Sequence, residues 1–178
     1  MADNDNPTPP ATGAEGAAEQ PVFRIQRVYL KDVSFESPQT PGVFVGNTAW
    51  KPNVSLQLNT ETARLDNDLF ECVLAVTATV SIDDQTTYLA EVKQAGLFTI
   101  KNFPEAELGK VLGIHCPTTL FPFAREEIGS LVQKGGFPQL LLDPVNFELM
   151  YRQYLQKAMQ QKAQQDEQQN APAPTTEQ

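Results

Sequence analysis

The feature that most constrains the fold of this chain is an amphipathic stripe within residues 112–147. Apolar residues recur in it at spacings of three, four, seven and eight, which is the periodicity of one face of an α-helix. The stripe consists of Leu120, Phe121, Ala124, Ile128, Leu131 and Val132. A long helix of this kind is stable only if its apolar side lies on a broad apolar surface, so the rest of the chain has to supply one.

Both ends of this long helix are predicted from local signals. Thr118 or Thr119 is expected to cap its start, with Pro122 tolerated only in the first turn, because proline cannot donate a backbone hydrogen bond. Gly135 and Gly136 are typical of a left-handed helix stop. We therefore expect the helix to begin near residue 118 and to end before the two glycines.

Four segments with strand patterning precede the helix and could form the surface beneath it. They cover residues 22–36, 53–60, 70–82 and 86–100. Asp83, Asp84 and Gln85 predict a tight hairpin between the last two. Short connections between successive strands indicate an antiparallel sheet with one apolar and one polar face.

Alternation along the strands assigns side chains to the polar face. Asp32 and Glu36 share one side of the first strand, roughly 13 Å apart at about 3.3 Å per residue. Leu89 and Glu91 point outward from the last strand, where Leu89 is an apolar exception. Solvated acids on an exposed face remain the alternative interpretation of this pattern. The opposite side of the first strand is predicted to carry Phe23, Ile25, Tyr29, Val33 and Phe35.

The order of these elements predicts an α+β fold: a four-stranded antiparallel sheet with a long helix packed on one face. A weaker helix is predicted at residues 105–113, and a C-terminal helix at about 145–160. Phe121, Phe123 and Ile128 exceed what one sheet face can cover. Because an exposed apolar patch of this size is rare on monomers, these three residues predict an oligomer interface.

Composition separates the ends of the chain from its centre. Residues 1–21 and 160–178 are low in complexity, the latter Gln-rich, and both are predicted to be disordered tails. The net charge of −9 argues against a nucleic-acid partner. The sequence lacks a signal peptide and a transmembrane run, so we expect a cytoplasmic protein with reduced cysteines and no direct membrane insertion.

The residues that enzymes use are sparse in this sequence. His115 and Cys116 resemble a base and a nucleophile, but adjacent residues on a helix seldom face each other. One histidine and two cysteines do not complete a zinc site, and the phosphate-binding motif GxxxxGK is absent. We therefore expect neither catalysis nor a cofactor nor a bound metal.

Large apolar side chains occur in segments that are predicted to be irregular. Phe44 and Trp50 lie in the loop of residues 37–51, and Phe137 and Phe147 flank the Pro-rich connection after the long helix. Loops lie at the surface, so these rings either cover an end of the sheet or form a binding surface. Both interpretations remain open from the residues alone.

Four stretches together resemble the SecB family of protein-export chaperones. They read IQRVYLKDVSFESP, EVKQAGLFTI, LGIHCPTTLFPFARE and GGFPQLLLDPVNF. The resemblance covers about residues 22–156, and we take residues 22–159 as the SecB-like domain. It implies a homotetramer, built as a dimer of dimers, with the long helices between the sheets. It also implies that the chain holds unfolded precursor proteins and passes them to the motor ATPase SecA.

The resemblance also assigns roles to individual residues. It implies that Asp32, Glu36, Leu89 and Glu91 form the acidic face on which SecA docks. The partner element would be the zinc-containing C-terminal tail of SecA, so the zinc belongs to the partner.

For clients, the resemblance implies that the loop with Trp50 is the family's crossover loop, which forms apolar grooves together with the last helix. We take Phe44, Trp50, Phe137 and Phe147 as the candidate groove residues. Residues 45–49 look longer than is usual in the family, and Ala90 and Ala95 replace a common Cys and Gly. The alternative function is a dedicated chaperone on the same fold, which would hold a single client such as a toxin–antitoxin or assembly partner.

Overall fold

A computed structural model describes residues 20–46 and 50–169 of the chain. In this part of the chain, four antiparallel strands form one sheet in the order β1-β4-β3-β2. The strands are β1 (Val22–Glu36), β2 (Asn53–Arg64), β3 (Leu69–Ile82) and β4 (Gln85–Lys101). The predicted four-stranded antiparallel sheet is therefore confirmed, with β2 extended beyond residue 60 because residues 61–64 continue to pair with β3.

The β3–β4 connection is a two-residue hairpin. Ile82 pairs with Gln85, and the two residues between them, Asp83 and Asp84, have φ values of 51° and 61°. Two successive positive φ values define a type I′ turn, whose twist matches that of the flanking strands, and aspartate tolerates this conformation.

One face of the sheet carries the core. The even-numbered residues of β3 and β4 are buried beneath the helices; among them are Phe70, Leu74, Val76, Val80, Tyr88, Val92 and Phe98. Burial of each large apolar side chain contributes roughly 1.5–3 kcal/mol before ordering costs. The opposite face of the sheet carries the odd-numbered residues of both strands, and within the described part of the chain no helix covers it. We call it the open face.

Two bulges change the faces of β1. The pairing with β4 shifts between Ile25 and Arg27 and again between Leu30 and Asp32, so Gln26 and Lys31 are extra residues. Strict alternation placed Tyr29 with Phe23 and Phe35, and this assignment is wrong. The first bulge turns Tyr29 to the open face, and the second restores the original alternation for Asp32 and the residues after it.

The helices lie in two groups. A single short turn, α1 (Gly42–Val45), interrupts the loop between β1 and β2. After the sheet come α2 (Glu105–Lys110), a π-helical turn (Val111–His115), α3 (Cys116–Lys134) and α4 (Phe147–Gln169). The C-terminal helix extends beyond the predicted end at residue 160, because its Gln-, Lys- and Ala-rich sequence consists of good helix formers.

The start of α3 differs from the predicted one. Because α2 and the π-helical turn lead directly into it, the amide of Cys116 already bonds to the carbonyl of Val111 and no capping side chain is needed. Thr118 and Thr119 instead donate their hydroxyls back to the carbonyls of Ile114 and His115, at 2.6 and 2.8 Å. Pro122 consequently lies inside the helix and not in its first turn.

The predicted glycine stop of α3 is confirmed. Gly136 has a φ of 84°, and its amide bonds to the carbonyl of Gln133 at 3.0 Å. The amide of Phe137 bonds to the carbonyl of Val132 at 3.2 Å, which completes a Schellman motif. The motif reverses the chain at once and brings Phe137 back onto the sheet.

The premise of the predicted oligomer interface is wrong for two of its three residues. Ile128 is fully buried and Phe121 is nearly so, because both contact the core of their own chain. Phe123 differs from them, with 49% of its surface exposed. The long helix therefore leaves much less apolar surface free than its sequence indicated.

Residues 1–19 of the predicted N-terminal tail and residues 170–178 of the predicted Gln-rich tail lie outside the described residues, as do residues 47–49 of the loop after β1. Within the described part, no helix is both long enough and apolar enough to cross a membrane.

Candidate functional site

The structure brings the four predicted docking residues together on the open face. β1 and β4 are neighbours, and Asp32 pairs with Lys93 while Glu36 pairs with Leu89. Glu91 lies between these two pairs, opposite Ser34. Asp32 and Glu36 are exposed, whereas Leu89 and Glu91 are half-buried. We call the four residues Asp32, Glu36, Leu89 and Glu91 the acidic face.

A lysine lies within this acidic face. Lys93 Nζ is 3.2 Å from Asp32 Oδ2 and 3.5 Å from Glu91 Oε1. The other Glu91 oxygen, Oε2, accepts a hydrogen bond from Thr77 Oγ1 at 3.2 Å. The hydrogen bond to Asp32 and the charge of that carboxylate, followed by the same effects of Glu91, raise the pKa of Lys93 above its usual value. Lys93 is therefore charged at neutral pH and partly neutralises the acidic face.

A second charged cluster lies beside the acidic face. The hydroxyl of Tyr29 donates a hydrogen bond to Glu71, and Lys31 Nζ bonds to both oxygens of the same carboxylate at 2.9 Å. The Tyr29 and Lys31 bonds lower the pKa of Glu71, and the Glu71 carboxylate raises the pKa of Tyr29 to about 12. Glu71 is therefore ionised, but the ammonium of Lys31 neutralises its charge, so it adds little free negative charge to this side of the sheet.

Sequence reasoning missed the part that Lys93 plays in the site. Its odd number in β4 already placed it on the same face as Leu89 and Glu91. Its pairing with Asp32 was not visible, because the bulge at Lys31 sets the register between the two strands.

Three of the four candidate groove residues meet in an aromatic cluster on the other side of the sheet. The ring centroid of Phe137 lies 5.0 Å from that of Phe44 and 6.0 Å from that of Trp50. Beneath them, Tyr88 lies 4.7 Å and Phe35 lies 6.3 Å from the same ring. We call these five residues the aromatic cluster.

The aromatic cluster has a buried base and an open rim. Phe137 is 5% exposed, whereas Phe44 is 51% and Trp50 is 40% exposed. The two outer rings are therefore available to a ligand in this chain, and Phe137 supports them from below.

Phe147, the fourth candidate, does not join the cluster. It is buried at the start of α4 and contacts Phe121 edge-on, with the centroids 5.8 Å apart. It lines a separate cavity of about 630 Å³ between α3 and residues 139–147. Its assignment to a client groove stays a prediction.

The His115–Cys116 pair is arranged unlike a catalytic pair. His115 is exposed, with its ring tilted against Phe23 at 6.3 Å, whereas Cys116 is fully buried. A hydrogen bond to Cys72, together with burial, raises the pKa of the Cys116 thiol far above its usual range. The thiolate that a nucleophile needs is therefore disfavoured. In residues 20–46 and 50–169, no group of three or more His, Cys, Asp or Glu side chains is placed to hold a metal.

Known proteins resemble this chain along most of its length. A protein-export protein SecB of Methylococcus capsulatus is 50% identical over 139 residues, which is 78% of this chain and 88% of the relative. Its counterpart in Halorhodospira halophila is 47% identical over 150 residues, covering 84% of this chain and 86% of the relative. A third protein-export protein SecB, from Blochmanniella pennsylvanica, is 46% identical over 143 residues, covering 80% of this chain and 92% of the relative.

A solved structure also shares the fold. It is a Mycobacterium tuberculosis SecB-like chaperone in complex with a ChAD peptide from the HigA1 antitoxin, with a TM-score of 0.57 and 18% identity. The alignment covers 69% of this chain and 90% of that one.

The sequence profile of the family described as preprotein translocase subunit SecB matches residues 16–158. The chain therefore belongs to the SecB family.

Proposed function

We propose that this protein is a cytoplasmic chaperone that holds unfolded precursor proteins in apolar grooves and delivers them to the translocation motor SecA. The observation that carries the proposal is the placement of two different surfaces on the two sides of one sheet. The exposed rings of Phe44 and Trp50 lie on the helix-covered side, and the acidic face lies on the open side. A client and a partner can therefore be bound at the same time.

The aromatic cluster suits a client that is recognised by its unfolded state. Exposed aromatic rings above a buried apolar base accept apolar side chains of many shapes, and folded proteins hide such side chains. One buried side chain contributes only about 1.5–3 kcal/mol, so a single groove binds weakly. Several subunits that engage one chain raise its affinity through effective concentration.

A third surface, formed by β1 and α3, supports assembly as a homotetramer, a dimer of dimers. β1 is a terminal strand of the sheet and has exposed apolar side chains on its helix-facing side: Phe23, Ile25, Leu30 and Val33. Together with Phe123 on α3, they leave apolar surface that a second copy of the chain can cover. Light scattering at micromolar concentration tests this, and a stable monomer would contradict it.

The acidic face suits a small basic partner with an apolar contact point, such as the zinc-containing C-terminal tail of SecA. Glu36 lies opposite the half-buried Leu89, Glu91 is two residues further along β4, and Asp32 lies beyond it opposite Lys93. Exposed charge pairs contribute only about 0.2–1 kcal/mol each, so we expect fast and salt-sensitive association more than tight binding.

Calorimetry with the zinc-loaded C-terminal tail of SecA tests the docking site. Asp32→Asn combined with Glu36→Gln should abolish binding, because it removes both exposed carboxylates of the acidic face. The same variant should suppress aggregation of an unfolded client as well as the parent does, since the aromatic cluster lies on the other side of the sheet. Full binding by the doubly neutralised variant, or binding that ignores salt, would show that the acidic face is only a solvated surface.

The identity of the clients separates two chaperone functions. The relatives named protein-export protein SecB at 46–50% identity favour a general export role over a dedicated one. Capture of many unfolded precursors under native conditions supports this role. Recovery of a single client would instead assign the chain to the dedicated chaperones.

A further inference from the structure

We propose that Lys93 is an internal competitor on the acidic face, and that a cationic side chain of the docking partner displaces it. The proposal deepens the docking function described above and rests on it. It assigns to Lys93 the control of both the affinity and the salt dependence of docking.

The geometry places the lysine where a partner cation would bind. Lys93 Nζ lies between carboxylates from two strands, 3.2 Å from Asp32 and 3.5 Å from Glu91. These distances fall within the range of an ion pair, so Lys93 Nζ occupies the position from which a lysine or arginine of the partner would bridge the same two oxygens. Of the three carboxylates, Glu36 forms no ion pair among the described residues.

The lysine can leave the site at little cost. About 42% of its side chain is exposed, as is 56% of Asp32, so water can replace the broken contacts. Exposed pairs of this kind are weak, and a lysine ammonium on its flexible stem rotates away without a change in the backbone. The hydrogen bond from Thr77 to Glu91 does not involve Lys93, so it need not break when the lysine leaves.

Two consequences follow for binding. With Lys93 present, three carboxylates and one ammonium leave the acidic face and Lys93 with a net charge of −2. Without the Lys93 ammonium, the three carboxylates of the acidic face keep their full negative charge, and the partner does not have to break an ion pair to bind. Lys93→Gln should therefore bind the zinc-loaded C-terminal tail of SecA roughly two- to tenfold more tightly at low salt. Its affinity should also fall more steeply with salt, because more charge is exposed to the partner.

Two control variants separate this effect from others. Lys101→Gln changes the net charge of the chain by the same unit and lies on the same strand, eight residues away, where it pairs with Asp68 at 3.0 Å. It should leave docking unchanged. Lys93→Arg keeps the cation and should bind as the parent does, which shows that the loss of the positive charge, and not replacement of the residue as such, tightens docking.

The experiment is calorimetry of the full chain and the three lysine variants at low and high salt, together with the Asp32→Asn, Glu36→Gln double variant. Tighter docking by Lys93→Gln alone among the lysine variants supports the proposal. Unchanged or weaker docking by Lys93→Gln, while the double variant loses binding, overturns the role of Lys93 and leaves the docking site intact. Full binding by the double variant overturns the docking site, and the role of Lys93 with it.

Discussion

The rings of Tyr88 and Phe137 lie 4.7 Å apart and form the buried base of the aromatic cluster. Tyr88 is followed in β4 by Leu89, which faces the opposite side of the sheet beside Glu36. The base of the proposed client surface and the apolar residue of the proposed docking surface are therefore consecutive residues of one strand. The sheet separates the two surfaces physically, so substitutions on one rim need not change the other.

Trp50→Ala should weaken the capture of unfolded clients and preserve the fold. The ring is 40% exposed and contacts Phe137 from above, so its loss removes client-facing surface without opening the core. One aromatic contact contributes about 1.5–3 kcal/mol, which corresponds to roughly tenfold or more in affinity at each groove. Suppression of client aggregation, titrated with chaperone, measures the effect.

Leu65→Ala is the matched control for this substitution. Leu65 is 54% exposed at the turn between β2 and β3 and is absent from the aromatic cluster, so its loss should leave capture unchanged. If Trp50→Ala and Phe44→Ala both capture clients like the parent, the loop is not part of the client groove. Phe137→Ala is a poor test, because truncation of a buried ring costs about 3–5 kcal/mol of stability.

Ile128→Glu should unfold the chain instead of producing smaller folded species. Ile128 is fully buried in the core of its own chain, and an unpaired buried carboxylate costs several kcal/mol. Phe123→Ser, at a half-exposed ring on the same helix, should instead keep the fold and reduce the oligomer. Circular dichroism and light scattering on both variants separate the two effects. A folded Ile128→Glu monomer would contradict the burial of Ile128 in the core of its own chain.

The sequence predicted the strands and the long helix well, because their hydrophobic periods extend over many residues. It failed where one element changes the environment of another. Alternation could not place Tyr29, since the bulge at Gln26 adds one residue on one strand only. Helical periodicity could not show that Ile128 is covered within its own chain, since the cover comes from the sheet and from other helices.

For the site, the alternation of side chains along β4 sufficed to place Leu89 and Glu91 on one face. The structure then showed Asp32 and Glu36 beside them on β1. The ion pairs of Lys93 depend on a register that is set by a bulge, and local sequence does not specify it.

Acidification should reduce the contribution of Glu71 to stability. Its pKa is lowered from 4.5, first by the Tyr29 hydrogen bond and then by that from Lys31. The stabilisation is complete above pH 4.5, the unfolded value, and is lost as the pH falls through the lowered folded pKa. Glu71→Gln should therefore be less stable than the parent at pH 7, by about 1 kcal/mol, and the difference should shrink in acid. Urea unfolding of both proteins at pH 7 and at a pH below the lowered folded pKa of Glu71 measures this difference in stability. A difference that does not change with pH would contradict the prediction.

Gly113→Ala should loosen the attachment of α4. Gly113 lies in the π-helical turn against the ring of Tyr151, and a Cβ at this position would lie 2.5 Å from Cδ2 and 2.7 Å from Cε2 of that ring. Alanine normally favours a helix over glycine by about 1 kcal/mol, so a loss of stability would come from the contact and not from backbone propensity. Overpacking of this kind costs about 1–3 kcal/mol.

The double variant Gly113→Ala with Tyr151→Ala separates these effects. Once the ring is removed, the added methyl group has room, so Gly113→Ala should become neutral or stabilising in the Tyr151→Ala background. Hydrogen exchange of the α4 amides and the thermal midpoint are the measurements. α4 should exchange faster in Gly113→Ala than in the parent, while β3 and β4 remain protected, because Tyr151 is not a member of the core cluster that these strands form. Equal destabilisation by Gly113→Ala in both backgrounds would show that the ring is not what excludes a side chain at residue 113.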